Sequence, residues 1–202
     1  MVAPVPDLHI LILAAGASTR MLGRDKLLEL VDGTTLLRKT ATAALATGCP
    51  VWVTLPPDRP DRSAALAGLP VRLIMVSDAQ TGLSASIRAG LAVIPPDAAV
   101  LMLLADLPEI DAADLATMAA AQRAHPGDIL RATSALGQPG HPVVFPPWSR
   151  ADLANLAGDE GARALLHSHR AAIRTIALPG AHATTDLDTP QDWAEWRART
   201  GR

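Results

Sequence analysis

Hydrophobic and polar positions along the chain alternate between short apolar runs and stretches with helical spacing. The first run, Leu8 to Leu13, is rich in Leu and Ile and ends abruptly in small residues, which indicates a buried β-strand. Val51 to Leu55, Val71 to Val76 and Ala98 to Ala105 have the same character, and helical patterns separate them. This alternation predicts parallel strands joined by right-handed crossovers.

The second half of the chain carries shorter elements. A helix is predicted from Asp111 to Ala124, followed by strands over Asp128 to Thr133, Val143 to Phe145 and Ala171 to Leu178. Thr189 to Asp192 has the residue types of a helix N-terminus and begins a predicted closing helix.

Composition narrows the class of protein. Hydrophobic residues make up 49% of the 202 residues but aromatic residues only 2%, so small and aliphatic side chains must form the core, which favours helices layered on a parallel sheet. The net charge of −2 argues against a nucleic-acid binder that relies on a basic face. One cysteine, no signal-peptide pattern and no apolar run of membrane-spanning length predict a cytoplasmic protein without a membrane partner.

The loop after the first strand is the strongest candidate for chemistry. Ala14 to Ser18 have little or no side chain, so an anionic ligand can approach their backbone N–H groups closely. Arg20, Arg24 and Lys26 follow and could surround a polyphosphate with positive charge. The alternative is a solvated basic loop without a ligand.

Two common phosphate-binding motifs do not match this loop. A Walker loop requires Ser or Thr after its lysine, and Lys26 is followed by Leu27. The dinucleotide fingerprint requires three spaced glycines, and only Gly16 and Gly23 are present, which argues against a dinucleotide-binding oxidoreductase.

Three further parts of the chain suggest ligand binding from residue type alone. Ser84 and Ser86 lie near a predicted helix start, where free N–H groups favour an anion, although both could be ordinary caps. Asp106 follows the most apolar strand, at the edge where open α/β sheets bind ligands; the alternative is a turn residue. Asp186 and Asp188 are two apart in extended chain, so both could face a metal, or Asp186 could only brace the loop.

Five segments together resemble the nucleotidyltransferases that act on the molybdenum cofactor, in particular the cytidylyltransferase branch. They are Leu13 to Lys26, Gly82 to Gly90, Leu104 to Pro108, Gly140 to Arg163 and Asp186 to Asp192. In the first segment Arg20 and Lys26 keep the family's spacing, whereas Leu22 stands where many members have glycine.

The resemblance implies a fold and a set of residue roles. The fold is a three-layer α/β/α sandwich with a mainly parallel, Rossmann-like sheet. One domain spans 1–202, with a nucleotide-binding half at about 1–110 and an acceptor-binding half at about 111–202. Arg20 and Lys26 are the implied catalytic residues, Asp106 and Asp188 the Mg²⁺ ligands. The implied nucleotide-binding residues are Leu13, Ala14, Ala15, Gly16, Ser18, Arg20, Lys26, Gly82, Ser84, Ser86, Arg88 and Asp106, and the acceptor-binding residues are His141, Asp159 and Arg163.

The implied reaction is transfer of CMP from CTP to the terminal phosphate of molybdenum cofactor, with release of pyrophosphate. Cytidine is favoured because this chain has LAAG where guanylyl-transferring relatives have LAGG, and the Ala15 methyl group narrows the space for a base. The alternatives are a GTP-using enzyme, an enzyme with another phosphorylated acceptor, and a non-catalytic cofactor carrier. A molybdoenzyme or its chaperone is a candidate partner. On residue type alone, a histidine such as His141 is more often a structural turn residue and an arginine such as Arg163 more often a solvated helix residue. The resemblance favours a binding role for Arg163 and leaves both interpretations of His141 open.

Overall fold

The computed structural model describes residues 7–156, 158 and 162–202, and its strands alternate with helices as the hydrophobic pattern predicts. The strands are β1 (Leu8–Leu13), β2 (Leu30–Val31), β3 (Thr34–Thr35), β4 (Val51–Leu55), β5 (Arg72–Met75), β6 (Ala99–Leu104), β7 (Ile129–Thr133), β8 (Pro139–Phe145) and β9 (Ile173–Ala177). The helices are α1 (Leu36–Leu45), α2 (Pro60–Ala65), α3 (Leu83–Val93), α4 (Ala112–Ala124), α5 (Arg150–Ala154), α6 (Arg163–Ser168) and α7 (Pro190–Thr200).

The central sheet places the ends of three strands at one edge. Over the described residues it has seven strands in the order β5-β4-β1-β6-β8-β7-β9. β1 lies parallel between β4 and β6, and Leu13 pairs with both Thr54 and Leu104. The loop after β1 and the Asp106 segment after β6 therefore leave the sheet side by side, which is where open α/β sheets bind ligands.

Helices cover both faces of this sheet, which confirms the expected mainly parallel, layered architecture. Alternate residues of β1 point to opposite faces. Ile10 and Ile12 belong to one core with residues of α1 and α4, whereas Leu11 packs on the other face with residues of α3, α5 and α6. Gly90 of α3 permits a close approach there, because a Cβ atom would lie 2.4 Å from a methyl group of Leu11.

Strand β8 is longer than the sequence pattern predicts. The apolar run begins at Val143, but the strand begins at Pro139 and pairs antiparallel with β6 and β7. The first residues of this strand have the composition of a turn, and Gly140 among them is required by packing. A Cβ atom at this position would lie 1.8 Å from the carbonyl oxygen of Ala183. The glycine therefore allows the backbone at Ala183 to approach this strand closely.

The closing helix α7 packs against the loop that follows β1. Thr189 and Asp192 form a capping box at its N-terminus, as predicted. Trp193 and Trp196 are buried in a cluster with Met21 of the loop after β1. This packing holds Asp188, just before α7, beside that loop. Among the described residues, no helix combines the length and apolar character that a membrane span requires.

Candidate active site

The loop after β1 forms one wall of a cavity of about 440 Å³. Ser18 and Leu22 have positive φ angles, 53° and 52°, and Gly23 follows at 88°, so the chain turns sharply here. Leu22 adopts this left-handed conformation at the position where many members of the resembling family have glycine. The residues that line the cavity are Ala15, Gly16, Ala17, Ser18, Thr19, Arg20, Lys26, Ala79, Gln80, Gly82, Leu83, Ser86 and Asp188. Small residues and two cations thus face the cavity together.

Lys26 lies between two carboxylates from distant parts of the chain. Its Nζ donates to Asp106 Oδ2 at 2.5 Å and to Asp188 Oδ1 at 2.8 Å. Arg20 Nη2 contacts the other Asp188 oxygen at 2.7 Å. Lys26 is only 15% exposed and Arg20 68% exposed, so Lys26 is the shielded charge and Arg20 the one open to a ligand. The structure therefore brings together the four residues that sequence reasoning assigned to catalysis and metal binding.

Electrostatics keep this lysine charged. Burial lowers the pKa of Lys26, but the charges and hydrogen bonds of Asp106 and Asp188 outweigh it and raise that pKa above its usual value. Burial, and then the charges of Asp188 and Asp106, raise the pKa of Asp186. Lys26 is consequently a fixed positive charge at the cavity, unsuited to act as a proton donor or base.

The carboxylates also have unused capacity for a cation. Asp106 Oδ1 is buried and has no hydrogen-bond partner in the described structure. A buried, unpaired carboxylate oxygen is costly unless something compensates its charge. Magnesium commonly takes one or two protein carboxylates and completes its octahedron with phosphate oxygens and water. Asp106, with Asp188 as second donor, fits that requirement.

A second group of metal-binding residue types lies elsewhere in the described part of the chain. Asp111, Asp114 and His182 place one potential ligand atom each within 4.8 Å of one another. However, Asp111 and Asp114 form the capping box of α4, and Asp114 also pairs with His182 at 2.8 Å. The helix cap accounts for this arrangement.

A second cavity, of about 490 Å³, adjoins the first and shares Leu83 with it. Its apolar lining comes from both the sheet and α3, and its polar lining comes from Arg131, His141 and Arg163. His141 Nδ1 is buried without a hydrogen-bond partner among the described residues. Burial, and second the charge of Arg163, lower the pKa of Arg131, so an anion between these guanidinium groups would relieve their repulsion. This cavity suits a partly apolar ligand with a hydrogen-bond donor and an anionic group.

The state of His141 leads to a pH prediction. Burial, and next the charge of Arg131, lower its pKa from 6.5 to about 4, so the folded protein holds it neutral. Between pH 6.5 and about 4 the unfolded chain binds more protons at this position than the folded protein does, so the free energy of unfolding falls as the pH falls. The contribution lost on going from neutral pH to about pH 5 is on the order of 2 kcal/mol. We expect His141→Asn to reduce the pH dependence of the free energy of unfolding by that amount, measured by urea unfolding. Equal pH dependence of wild type and variant would contradict a buried, neutral His141.

Other residues assigned from the sequence lie away from the first cavity. Leu13 lines the second cavity instead. The Ala14 N–H donates to the Thr54 carbonyl at 3.2 Å because the β1–β4 ladder continues past Leu13. Ser84 is 1% exposed within α3, and Arg88 donates to the Leu156 carbonyl at 2.6 Å. Asp159 lies outside the described residues.

Sequence reasoning missed other residues that line the two cavities. Ala79 and Gln80 belong to the turn before α3, and Arg131 belongs to β7. The glycine and serine run identifies Gly82 from the sequence, but the turn before it carries no distinctive residue type. Arg131 lies within an ordinary strand pattern, and only the antiparallel insertion of β8 brings it to His141.

Comparison with known proteins identifies relatives of this chain. Residues 10–173 match the MobA-like NTP transferase domain. Nicotine blue oxidoreductase from Paenarthrobacter nicotinovorans is 29% identical over 92% of this chain and 94% of its own. The crystal structure of Rv0371c from Mycobacterium tuberculosis H37Rv is 31% identical and covers 95% of this chain and 97% of its own, with a TM-score of 0.83. A second crystal structure of Rv0371c is a complex with manganese and has a TM-score of 0.78 at 29% identity over 94% of this chain and 97% of its own.

A nucleotidyl transferase from Methanothermobacter has the same fold, with a TM-score of 0.76 over 96% of this chain and 97% of its own, at 20% identity. The domain match extends from β1 through the start of β9 and so includes the loop after β1 and Asp106, whereas Asp188 lies beyond it. This chain belongs to the family of MobA-like NTP transferase domains.

Proposed function

We propose that this protein is a Mg²⁺-dependent cytidylyltransferase that transfers CMP from CTP to the terminal phosphate of molybdenum cofactor. The observation that carries the proposal is the contact of Lys26 with both Asp106 and Asp188 beside a loop of small residues. The molybdenum cofactor and CTP rest on the sequence resemblance, and the two adjoining cavities are consistent with two substrates.

The chemistry requires charge stabilisation more than proton transfer. An oxygen of the acceptor phosphate forms a bond to the α-phosphorus of CTP, while the bond from that phosphorus to the bridging oxygen breaks and pyrophosphate leaves with the electron pair. The acceptor phosphate is already anionic, so it needs no general base. The main barrier is the approach of two anions and the growing charge on the leaving group. Arg20 and Lys26 provide positive charge at this position.

Asp106 and Asp188 would hold the magnesium ion. Bound there, the ion would act as a Lewis acid on phosphate oxygens. The buried, unpaired Asp106 Oδ1 and the manganese complex of Rv0371c both favour a divalent cation in this protein. Lys26 and Arg20 bind triphosphate oxygens and orient the α-phosphorus. The backbone of the loop after β1 keeps water away from these triphosphate oxygens.

The second cavity is the proposed acceptor site. Its apolar wall offers contact for the body of the acceptor, and Arg131 and Arg163 offer positive charge for an anionic group. His141, neutral through burial, can accept a hydrogen bond from an N–H group of the acceptor. Leu83 borders both cavities, so an acceptor bound in the second cavity lies next to a nucleotide bound in the first.

The preference for CTP depends on Ala15, and this gives a prediction. Ala15 is 6% exposed and packs with Val76 and Ala85, so its methyl group is fixed in the wall of the first cavity. One methyl group is worth about 1 to 3 kcal/mol of discrimination. We expect Ala15→Gly to raise kcat/KM for GTP relative to CTP by about 10- to 100-fold. Ala46→Gly, at an exposed position just after α1 that lines neither cavity, is the control. An unchanged ratio in Ala15→Gly would remove Ala15 from base selection.

Two other functions make different predictions. A cofactor carrier would bind the acceptor without turnover, yet the charged cluster needed for turnover is intact. The similarity to nicotine blue oxidoreductase makes an oxidoreductase the second candidate. That candidate predicts a redox reaction without pyrophosphate release.

The test is pyrophosphate release from CTP and from GTP, with molybdenum cofactor as acceptor and with magnesium present or chelated. We expect release with CTP that requires both magnesium and the acceptor. Release with GTP alone would overturn the base assignment. Acceptor binding with no pyrophosphate release from either nucleotide would overturn the proposed reaction.

A further inference from the structure

Arg62 is a buried arginine outside every motif that the sequence analysis identified. It lies on the short helix α2 and its side chain is 0% exposed. Arginine is rarely buried completely unless it is paired. Its side chain contacts the loop after β1 but does not line the first cavity.

The Arg62 guanidinium joins the beginning, middle and end of this loop. Nη1 donates to the Ala14 carbonyl at 2.6 Å, and Nη2 donates to Ser18 Oγ at 3.1 Å. Nε and Nη2 also donate to the two oxygens of Asp25, at 2.7 and 2.9 Å. A bidentate contact of this kind fixes direction as well as distance. One side chain thus sets the relative positions of three residues that lie at the beginning, middle and end of the loop.

Asp25 extends the same network towards Lys26. Its Oδ1 accepts the Leu27 N–H at 3.0 Å and contacts Ser18 Oγ at 3.3 Å. Burial raises the pKa of Asp25, but the hydrogen bond and charge of Arg62 outweigh it, so its pKa lies below the usual value and the pair is ionic. Arg59, also from the α2 region, donates to the Ala17 carbonyl at 2.9 Å.

Energetics favour a positioning role for this ion pair. Replacing a buried ion pair by apolar residues is often neutral or stabilising, so stability alone does not explain why one lies here. The loop it holds contains Ser18 at φ 53°, a conformation that a serine adopts only where its surroundings enforce it. The pair is therefore placed where it can enforce one loop conformation.

We propose that Arg62 and Asp25 are positioning residues that hold the loop after β1 in the conformation that binds the nucleotide triphosphate. The inference rests on the proposed nucleotide site for its functional consequence. It predicts that loosening the pair disorders the loop first and weakens nucleotide binding as a result. Lys26 directly follows Asp25, so its Nζ would also lose its fixed position between the two carboxylates.

The test uses Arg62→Lys and Asp25→Asn, which keep the size of each side chain but cannot keep the bidentate pair. Arg38→Lys is the matched control, because Arg38 Nη1 donates to the carbonyls of Ala65 and Ala67 at the other end of α2. Two readouts are compared for folded protein. They are the rate of limited trypsin cleavage after Arg20 and Arg24, which are exposed in the loop, and the Kd for CTP with magnesium.

We expect both pair variants to raise the cleavage rate and the Kd by about 10- to 100-fold, and kcat to fall with them, as misplacement of a site by about 1 Å does. The double variant should resemble the single ones, since either substitution breaks the same contact. Arg38→Lys should leave cleavage and Kd within a factor of about two to three of wild type. If Arg62→Lys does not fold, Arg59→Ala, at a partly exposed residue, should give a smaller increase in both quantities.

The outcomes separate this inference from the proposed function. Unchanged cleavage in the folded pair variants would overturn the positioning role. Faster cleavage in the pair variants, with a wild type that binds no nucleoside triphosphate, would support control of the loop but overturn the proposed nucleotide site. Equal effects of Arg38→Lys and Arg62→Lys would show that α2 is merely a structural support, which would also contradict the inference.

Discussion

Asp106→Asn is expected to lower nucleotidyl transfer by about a thousandfold or more. Asp106 offers a buried oxygen without a hydrogen-bond partner in the described structure and, through its other oxygen, holds Lys26 at 2.5 Å. The amide removes one negative charge and turns one ligand oxygen into a donor. Metal assistance is commonly worth several kcal/mol, and about 4 kcal/mol corresponds to a thousandfold in rate.

This effect should appear as a loss of response to metal. Titration of activity with magnesium should show a shifted or absent dependence in Asp106→Asn. The control, Asp58→Asn, changes an exposed carboxylate in the same way and should behave as wild type. An Asp106→Asn enzyme with wild-type turnover and wild-type magnesium dependence would exclude Asp106 as a metal ligand.

Lys26→Ala has the second-largest expected effect, a loss of turnover on the order of a hundredfold or more, as is typical when one preorganised charge contact is removed. The substitution also leaves Asp106 and Asp188 without their shared counterion, so the two carboxylates repel each other. Initial rates of pyrophosphate release, with folding checked by thermal unfolding, measure the effect. Both kcat and nucleotide affinity should fall, because Lys26 faces the cavity.

The chain provides a matched control in its other lysine. Lys39 is similarly shielded, 17% exposed against 15%, but it donates to the Pro108 carbonyl at 2.6 Å and lies outside the lining of the first cavity. Lys39→Ala should therefore change stability more than turnover. If Lys26→Ala and Lys39→Ala lost the same fraction of activity, a specific role for Lys26 would be untenable.

Much of the site followed from local sequence, because strand ends fix its geometry. β1 and β6 are short apolar runs, and parallel strands bring their carboxyl ends to one edge, so the loop after β1 and Asp106 leave the sheet side by side. Asp188 required more, since it reaches the loop only through the packing of Trp193 and Trp196 beside Met21. Its assignment came from the resemblance, and the fold explains it.

Long-range contacts that leave no local signature could not be predicted. Arg62 has the sequence surroundings of a solvated helix residue, but it is buried against a loop that ends 37 positions earlier at Asp25. Arg131 joins His141 through an antiparallel strand whose first residues have the composition of a turn. Residue type predicts such roles poorly because they depend on which distant surfaces meet.

The exclusion made from the missing glycine fingerprint applies only to dinucleotide-binding oxidoreductases. The missing three-glycine fingerprint argued against an oxidoreductase, yet a relative that is 29% identical over most of its length carries the name nicotine blue oxidoreductase. Absence of one motif excludes only the fold-specific site that uses it. The cluster of Lys26, Asp106 and Asp188 is the feature of this site that favours nucleotidyl transfer.

The most direct measurement follows the phosphorus atoms of CTP labelled at either the α or the γ position. With magnesium and molybdenum cofactor, nucleotidyl transfer predicts that the α label moves into the acceptor and the γ label appears in pyrophosphate. Both movements should disappear in Lys26→Ala and Asp106→Asn. An α label that stays in free CTP or CMP, or a γ label that moves to the acceptor, would contradict nucleotidyl transfer at this site.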